Sequence, residues 1–261
     1  MVLVRALLLW LNRNRRFDKM LFSVLPIVAA HLLAFVLAVL WPVWDDRQLR
    51  SLRAHPSGHA RLAYYRRLTL LLLIAAGVAC WSDGIGRLFT IHGIGIDSTG
   101  LHEHLWMWYA LVTLVGLAVL VQLVLPVVQV SVKYRDREFL EPKQFLPLRF
   151  FLPHSAMERR WFAVLSVTAG FGEELLFRGF LLRYLHSSPL HLPLAWAVVL
   201  AASIFGIHHL YQGLRGVIST TIMGLIFTAM LLVTGSLWMG MGCHAAIDIS
   251  LLFYWRPKTD A

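Results

Sequence analysis

The stretch Gly170-Phe-Gly-Glu-Glu-Leu-Leu-Phe-Arg-Gly179 places two adjacent carboxylates and an arginine inside a long apolar run. An ionised side chain is costly in hydrocarbon, so such residues are candidates for a functional site. Glu174 and Arg178 are four residues apart, which makes them neighbours on one face of a helix. Glu173 points about 100° away from Glu174. We therefore predict that Glu174 pairs with Arg178 and that Glu173 faces elsewhere; the alternative is a pair of interfacial charges at a helix end.

The composition identifies a membrane protein. The chain has 261 residues, of which 58% are hydrophobic and 15% are charged. Several apolar runs approach or exceed the roughly 20 residues that cross a bilayer. We therefore predict an all-α fold, a polytopic transmembrane helical bundle with about seven or eight spans. Cys80 and Cys243 both lie in apolar runs, which argues against a disulfide framework.

The net charge of +10 comes from arginines in the loops between apolar runs. In that position they are topology signals and contacts to anionic lipids, so we expect a lipid bilayer and no nucleic acid as partner. The basic loops at 45–67 and 133–160 should be cytoplasmic, and the loop at 82–104 should face outward. The basic N-terminal segment should also be cytoplasmic. A single crossing at 20–44, however, would place it on the side opposite to the cytoplasmic loop at 45–67, and this conflict stays open.

The apolar runs divide the chain into two parts. Residues 1–160 are predicted to form N-terminal membrane helices and basic cytoplasmic loops, and residues 161–255 a four-helix membrane core. Short connections make the last three helices antiparallel neighbours, and Gly216, Thr220 and Gly224 allow close helix packing. The predicted spans are 20–44, 68–81, 105–132, 161–185, 194–211, 216–234 and 236–255.

Two more polar clusters occur in the core, in Phe205-Gly-Ile-His-His-Leu210 and in Cys243-His-Ala-Ala-Ile-Asp248. His244 and Asp248 share a helix face, as do Phe205 and His209. The rise of a helix places all of them at a depth similar to that of Glu173, in the cytoplasmic half. We expect Phe205 to wall the pocket. His208 points about 100° from His209, so we expect it to face a neighbouring helix or the headgroup region.

The residues indicate hydrolysis by an activated water. No Gly-x-Ser-x-Gly elbow is present, and neither cysteine has the setting of a nucleophile. A carboxylate is then the available group for activating water. A metal is the rival chemistry, because two histidines and a carboxylate with one open position form a catalytic zinc set. In this chain that set would be Glu173, His209 and His244.

The three motifs also resemble a known family. Glu-Glu-x-x-x-Arg at 173–178, Phe-x-x-x-His at 205–209 and His-x-x-x-Asp at 244–248 look like the signatures of the CAAX protease and bacteriocin-processing family. This family, also called CPBP or Abi, consists of intramembrane endopeptidases related to the type II CAAX prenyl endopeptidase. The resemblance covers about residues 160–255. Asp248 stands where the prenyl endopeptidases carry asparagine, a variation also found in the wider bacterial family.

The resemblance implies an intramembrane endopeptidase with a catalytic core at 161–255. Glu173 would be the general base, and His209 a partner for the water or the oxyanion. His244 and Asp248 would complete this shell, and the Glu174–Arg178 pair would fix the helix and tune Glu173. The family is described both as metalloproteases and as glutamate-type proteases. We favour the metal-free version, in which no cofactor is required, because Asp248 can orient the His244 imidazole; zinc stays the alternative.

The implied substrate is a membrane peptide or protein, embedded in the bilayer or tethered by a lipid, in the plasma (inner) membrane of a bacterium. Two other functions compete with this one. The first is a non-catalytic membrane protein of the same fold, acting in partner binding or bacteriocin immunity. The second is a proton or ion carrier. The intact set of Glu173, His209 and His244 weighs against a scaffold, because their burial is costly. A carrier would favour broken helices in paired repeats, and the sequence contains none.

Overall fold

The computed structural model describes residues 23–96, 113, 116–117, 148–187 and 189–255, and helices are the regular elements of these ranges. The all-α prediction is therefore confirmed for the described part of the chain. Helix α5 continues from its α-helical part through a π-helical segment, Leu175–Leu181, into a last turn, Leu182–His186. The helices are α1 (Ser23–Ala54), α2 (Gly58–Asp83), α3 (Ile85–Leu88), α4 (Ile91–Ile94), α5 (Ala156–Glu174 and its continuation), α6 (Leu194–Ile207), α7 (Gly213–Thr234) and α8 (Trp238–Tyr254).

Several of these helices have the length and composition of membrane spans. Ser23–Ala54, Gly58–Asp83 and Leu210–Thr234 can cross a bilayer, and Leu194–Ile207 and Trp238–Phe253 are shorter apolar helices. Large apolar side chains point outward along them. Surfaces of this kind indicate an integral, multi-pass membrane protein. Three predicted parts lie outside the described residues: the segment 1–22, most of the span at 105–132, and residues 133–147 of the loop at 133–160.

The helix boundaries follow from local chemistry. Ser155 caps α5 by accepting a hydrogen bond from the Glu158 N–H, and the Ser155 hydroxyl donates to the Glu158 carboxylate. Serine followed three residues later by glutamate is a sequence signature of a helix start, and here the Glu158 carboxylate also accepts from the His154 N–H. Ser57 caps α2 by accepting a hydrogen bond from the Ala60 N–H. At the other ends, Gly84 and Gly235 adopt positive φ angles of 82° and 70°, which glycine tolerates and which end α2 and α7.

Glycines set how closely the helices pack. A Cβ at Gly170 of α5 would collide with the backbone of Ala245 on α8, so these two helices approach closely there. Gly206 of α6 lies equally close to Thr221 of α7. Gly224 lies against Ala202, as the small-residue spacing predicted, whereas Gly216 faces Gln212 of its own turn. The close helix approach predicted from the small-residue spacing is thus present at Gly224, and Gly216 is also buried.

The contacts also fix the helix directions. Arg61 pairs with Glu158 at one end of α2 and α5, and Asp83 pairs with Arg183 at the other, so these helices are parallel. Arg159 donates to the Trp255 carbonyl, so α8 returns antiparallel to α5. The basic connections near 55–61 and 153–160 and the end of α8 thus share one end of the bundle. Residues 83–96 lie at the opposite end, as the charge pattern predicted.

Two predicted boundaries were wrong. Residues 45–54 are the last turns of α1, and Gly58–Arg67 belongs to α2, so the expected loop at 45–67 shrinks to a turn at 55–57. The error arose because the first charged residues after an apolar run were taken as the end of the helix, whereas a helix can continue beyond the apolar layer of the membrane. Likewise, α6 ends at Ile207, and His208 and His209 lie in the turn that follows it.

Candidate active site

Helix α5 carries the acidic pair at the point where its geometry changes. Glu173 and Glu174 end the α-helical part, and Arg178 lies in the π-helical segment Leu175–Leu181. Such π turns occur frequently at functional sites. The close approach of α8 at Gly170 brings His244, the residue before Ala245, against this pair. Two of the three predicted motifs are therefore in direct contact.

Glu174 is the centre of a buried cluster. Its Oε1 accepts a hydrogen bond from Arg178 Nη1 at 3.0 Å, and His244 Nδ1 lies 3.0 Å from the same oxygen. A carboxylate can only accept, so Nδ1 is the protonated nitrogen of His244. We expected Asp248 to orient this imidazole, but its Oδ2 is 3.8 Å from His244 Nε2. Glu174 therefore orients His244, in addition to pairing with Arg178.

Aromatic rings enclose this cluster. The Arg178 guanidinium lies 4.2 Å from the centre of the Phe205 ring, and the Phe227 ring stacks on His244 at 5.1 Å. Gly240 and Gly224 leave room for Glu174 Oε2 and Arg178 Nη2, which are buried without a hydrogen-bond partner in the described ranges. Phe205 is buried behind His209 and His244 and does not line the cavity described next. The expectation that it walls the pocket was wrong.

In front of the cluster is a cavity of about 140 Å³. It contains the other predicted site residues, Glu173, His209, His244 and Asp248. Glu173 Oε2 and Asp248 Oδ2 each lie 3.8 Å from His244 Nε2, too far for a hydrogen bond but close enough for a shared water or substrate atom. The cavity reaches toward the end of the bundle that holds residues 148–152, which is the predicted cytoplasmic end.

The adjacent histidines have different partners. The His209 Nδ1–H donates to the Phe205 carbonyl at 3.0 Å, which leaves Nε2 of the neutral ring as an acceptor. His208 Nε2–H donates to the carbonyl of Leu37 in α1 at 2.7 Å. His208 thus contacts a neighbouring helix, as expected. Both rings nevertheless contribute to the cavity wall, contrary to the expectation from helix geometry, because α6 ends before them.

Five polar residues of the cavity were missed by the motif search: Asp45 on α1, Tyr64 on α2, Ser166 on α5, and Tyr211 and Gln212 after α6. The Tyr64 hydroxyl donates to Asp45 Oδ1 at 2.7 Å, and both side chains are buried. Asp45 was assigned to a solvated loop, and no spacing in the sequence connects it to Tyr64. The available signal was only its position directly after an apolar run that ends in Trp44.

A catalytic zinc site needs three protein ligands that converge on one point. In the described ranges, no three His, Cys, Asp or Glu side chains converge in a way that could hold a metal ion. Glu173, His209 and His244 share the cavity, and the contact of His244 Nδ1 with Glu174 leaves Nε2 as the nitrogen that could bind a metal. Because these three side chains do not converge on one point in the described structure, the arrangement does not fit a three-ligand metal site, and we derive no step through a metal.

Comparison with known proteins identifies the core. Residues 156–250 match the family model described as Rce1-like, type II CAAX prenyl endopeptidase. This range nearly coincides with the 160–255 of the motif resemblance, so the C-terminal core is similar to a family of membrane proteases. The proteins of that family act on a protein or peptide. No curated protein and no solved structure matches the chain.

Proposed function

We propose that this protein is an intramembrane endopeptidase that hydrolyses a peptide bond in a membrane-embedded or lipid-tethered substrate. One observation carries the proposal: Glu173, His209, His244 and Asp248, from three motifs far apart in sequence, line a single cavity. A cavity of about 140 Å³ has room for several water molecules. The match of residues 156–250 to a protease family gives independent support.

In the proposed mechanism, Glu173 is the general base. Its carboxylate is partly exposed to the cavity, with 19% of the side chain accessible, and it is not bonded to Arg178. It removes a proton from a water molecule, whose oxygen attacks the carbonyl carbon of the scissile bond. His209 positions this water, because its Nε2 can accept a hydrogen bond from the second O–H of the water.

His244 would stabilise the oxyanion. Its Nδ1–H is fixed on Glu174, and its Nε2 points between Glu173 and Asp248. Three carboxylates around one imidazole stabilise its cationic form, which can donate Nε2–H to the developing negative charge. The C–N bond then breaks, and Glu173 returns its proton to the leaving amine. The products are a carboxylic acid, which keeps the water oxygen and the second water proton, and an amine, which receives the first proton from Glu173.

The buried cluster acts indirectly in this scheme. Glu174 and Arg178 hold the end of α5 and orient His244, much as outer carboxylates orient catalytic histidines elsewhere. We place the protein in the plasma membrane of a bacterium, with the cavity on the cytoplasmic side and the basic end of the bundle on anionic lipids. The catalytic core is 161–255, and residues 1–160 form the remaining membrane helices and basic loops.

The test is cleavage of a membrane-peptide library by the purified protein in lipid nanodiscs, with and without a chelator. The Glu173→Gln variant, prepared in parallel, is the blank that reveals contaminating proteases. We expect the wild type to cut and the variant not to cut, with the chelator having no effect. Loss of cleavage on chelation that zinc restores would replace the metal-free mechanism. Binding of an uncut peptide by both proteins would instead favour the non-catalytic alternative.

A further inference from the structure

Asp45 is a buried acid of the cavity that the proposed mechanism does not use. It lies near the end of α1, outside the range that matches the protease family, and its residue is only 6% exposed. It nevertheless lines the cavity that contains Glu173. A carboxylate in this setting is costly unless its oxygens have partners. Its partners therefore indicate whether its role is structural.

Asp45 is only half satisfied. Oδ1 accepts the Tyr64 hydroxyl at 2.7 Å, whereas Oδ2 has no hydrogen-bond partner among the described residues. Glu158, which is 3% exposed, shows what a structural acid looks like in the same protein. Both of its oxygens are used: Oε2 accepts from Arg61 and from the His154 N–H, and Oε1 accepts from Ser155. Asp45 thus keeps one oxygen available on the cavity side.

The charge of the cavity wall points to the kind of group that Asp45 would bind. Asp45, Glu173 and Asp248 all line the cavity, and none of its described lining residues is a lysine or an arginine. The cationic His244 of the proposed mechanism is surrounded by Glu173, Glu174 and Asp248, and Arg178 is buried behind the wall on Glu174, so neither offsets Asp45. A concave surface with a net negative charge selects a partner group of the opposite sign. The peptide backbone is neutral, so that group must come from a side chain or an amine.

We infer that Asp45 is a substrate subsite for a cationic side chain, lysine or arginine, near the scissile bond. Tyr64 is a positioning residue: its buried hydroxyl holds Oδ1 of Asp45 and leaves Oδ2 for the ligand. This inference rests on the proposed function, since it specifies the class of peptide that the same cavity accepts. It also gives α1 and α2 a part in substrate selection.

The experiment compares two fluorescently labelled pentapeptide amides that differ only at the central residue, lysine in one and norleucine in the other. Binding is measured by fluorescence anisotropy in nanodiscs of phosphatidylcholine, so that no anionic lipid attracts the lysine. The Glu173→Gln background prevents cleavage during the measurement. We expect the lysine peptide to bind about tenfold tighter or more, because a hydrogen bond between the lysine ammonium and the Asp45 carboxylate is stronger than one between neutral groups.

Asp45→Asn is the decisive variant, because the amide still accepts the Tyr64 hydroxyl but has lost the charge. It should reduce the lysine preference to less than about threefold, whereas wild-type thermal stability should remain. Asp46→Asn is the matched control: Asp46 pairs with Arg50 at 2.7 Å and does not line the cavity, so the preference should persist. Tyr64→Phe should lower the preference to an intermediate value.

Two results would overturn the inference: equal binding of the two peptides by the protein that retains Asp45, or a lysine preference that persists in the Asp45→Asn variant. Cleavage of the same peptides by the protein with Glu173 intact tests the proposed function separately. Selective binding without cleavage would contradict the proposed protease function and support the Asp45 subsite. Cleavage with no preference for lysine would support the protease function and contradict the subsite.

Discussion

Two groups of polar side chains lie side by side in this bundle and differ in their surroundings. The buried cluster, Glu174 with Arg178 and the Nδ1 side of His244, is enclosed by the Phe205 and Phe227 rings. The cavity wall, Glu173 and Asp248 with His209, keeps polar atoms directed at open space. Adjacent residues of one helix, Glu173 and Glu174, thus belong to different environments.

The difference separates support from chemistry. In a membrane, a charge that is paired within the protein needs no further explanation, whereas a carboxylate facing a cavity needs a ligand, a water or a reaction. Changes in the cavity wall should therefore reduce activity and leave the fold intact. Changes in the buried cluster should reduce stability, and activity with it. The following predictions test this contrast.

The largest effect is expected for Glu173→Gln. The amide keeps the size of the side chain and removes the base, so hydrolysis should fall by about 10²- to 10⁴-fold or more. Because Glu173 is not bonded to Arg178, thermal unfolding in detergent should be unchanged. Cleavage kinetics and the unfolding midpoint of the same preparation check both parts. Turnover at the normal rate would remove Glu173 from the mechanism.

The next effect distinguishes the two neighbouring histidines. His209→Ala should lower kcat by about 10²-fold or more, since the water loses its partner. His208→Ala should lower activity only a few-fold. It should reduce stability by about 1–3 kcal/mol, because the Leu37 carbonyl loses its hydrogen bond. Assays at matched expression measure the ratio of the two losses, and equal losses would mean that both rings act on the substrate or the water.

The buried cluster should respond differently, through stability. Glu174→Ala and Arg178→Ala should each destabilise the protein by about 3–5 kcal/mol, because each leaves a buried charge without its partner. The double variant should cost less than the sum of the two, since the partners are in contact at 3.0 Å. Chemical unfolding of the three variants gives the coupling. Strict additivity would show that the two side chains do not interact.

The smallest effect concerns the packing that brings the two groups together. Gly170→Ala should destabilise by about 1–3 kcal/mol, because the new methyl group collides with the Ala245 backbone and pushes α8 away from α5. Gly242→Ala, on α8 itself, has nothing within 4 Å of its new Cβ. It should be neutral or stabilising by up to about 1 kcal/mol. Equal stability of the two variants would argue against the close contact.

Contacts within one helix could be predicted from the sequence, and contacts between helices largely could not. The four-residue spacing of Glu174 and Arg178 fixes their distance through the helix itself, and the structure has this pair. The partner of His244 was predicted by the same rule to be Asp248, but the nearer acid, Glu174, comes from another helix. The spacing of residues within one helix carries no information about how α8 is rotated relative to α5.

The sequence by itself predicted the membrane class, the resemblance of the core to a protease family, the common end of the bundle for the described basic connections, and a similar depth for the three motifs. These properties depend on composition and on the fixed rise of a helix. Only the tertiary structure decided that Asp45 and Tyr64 reach the cavity, that Phe205 lies behind it, and that Glu174 holds His244. Those contacts depend on the rotation and spacing of whole helices, which the close approach at Gly170 and Gly206 helps to set.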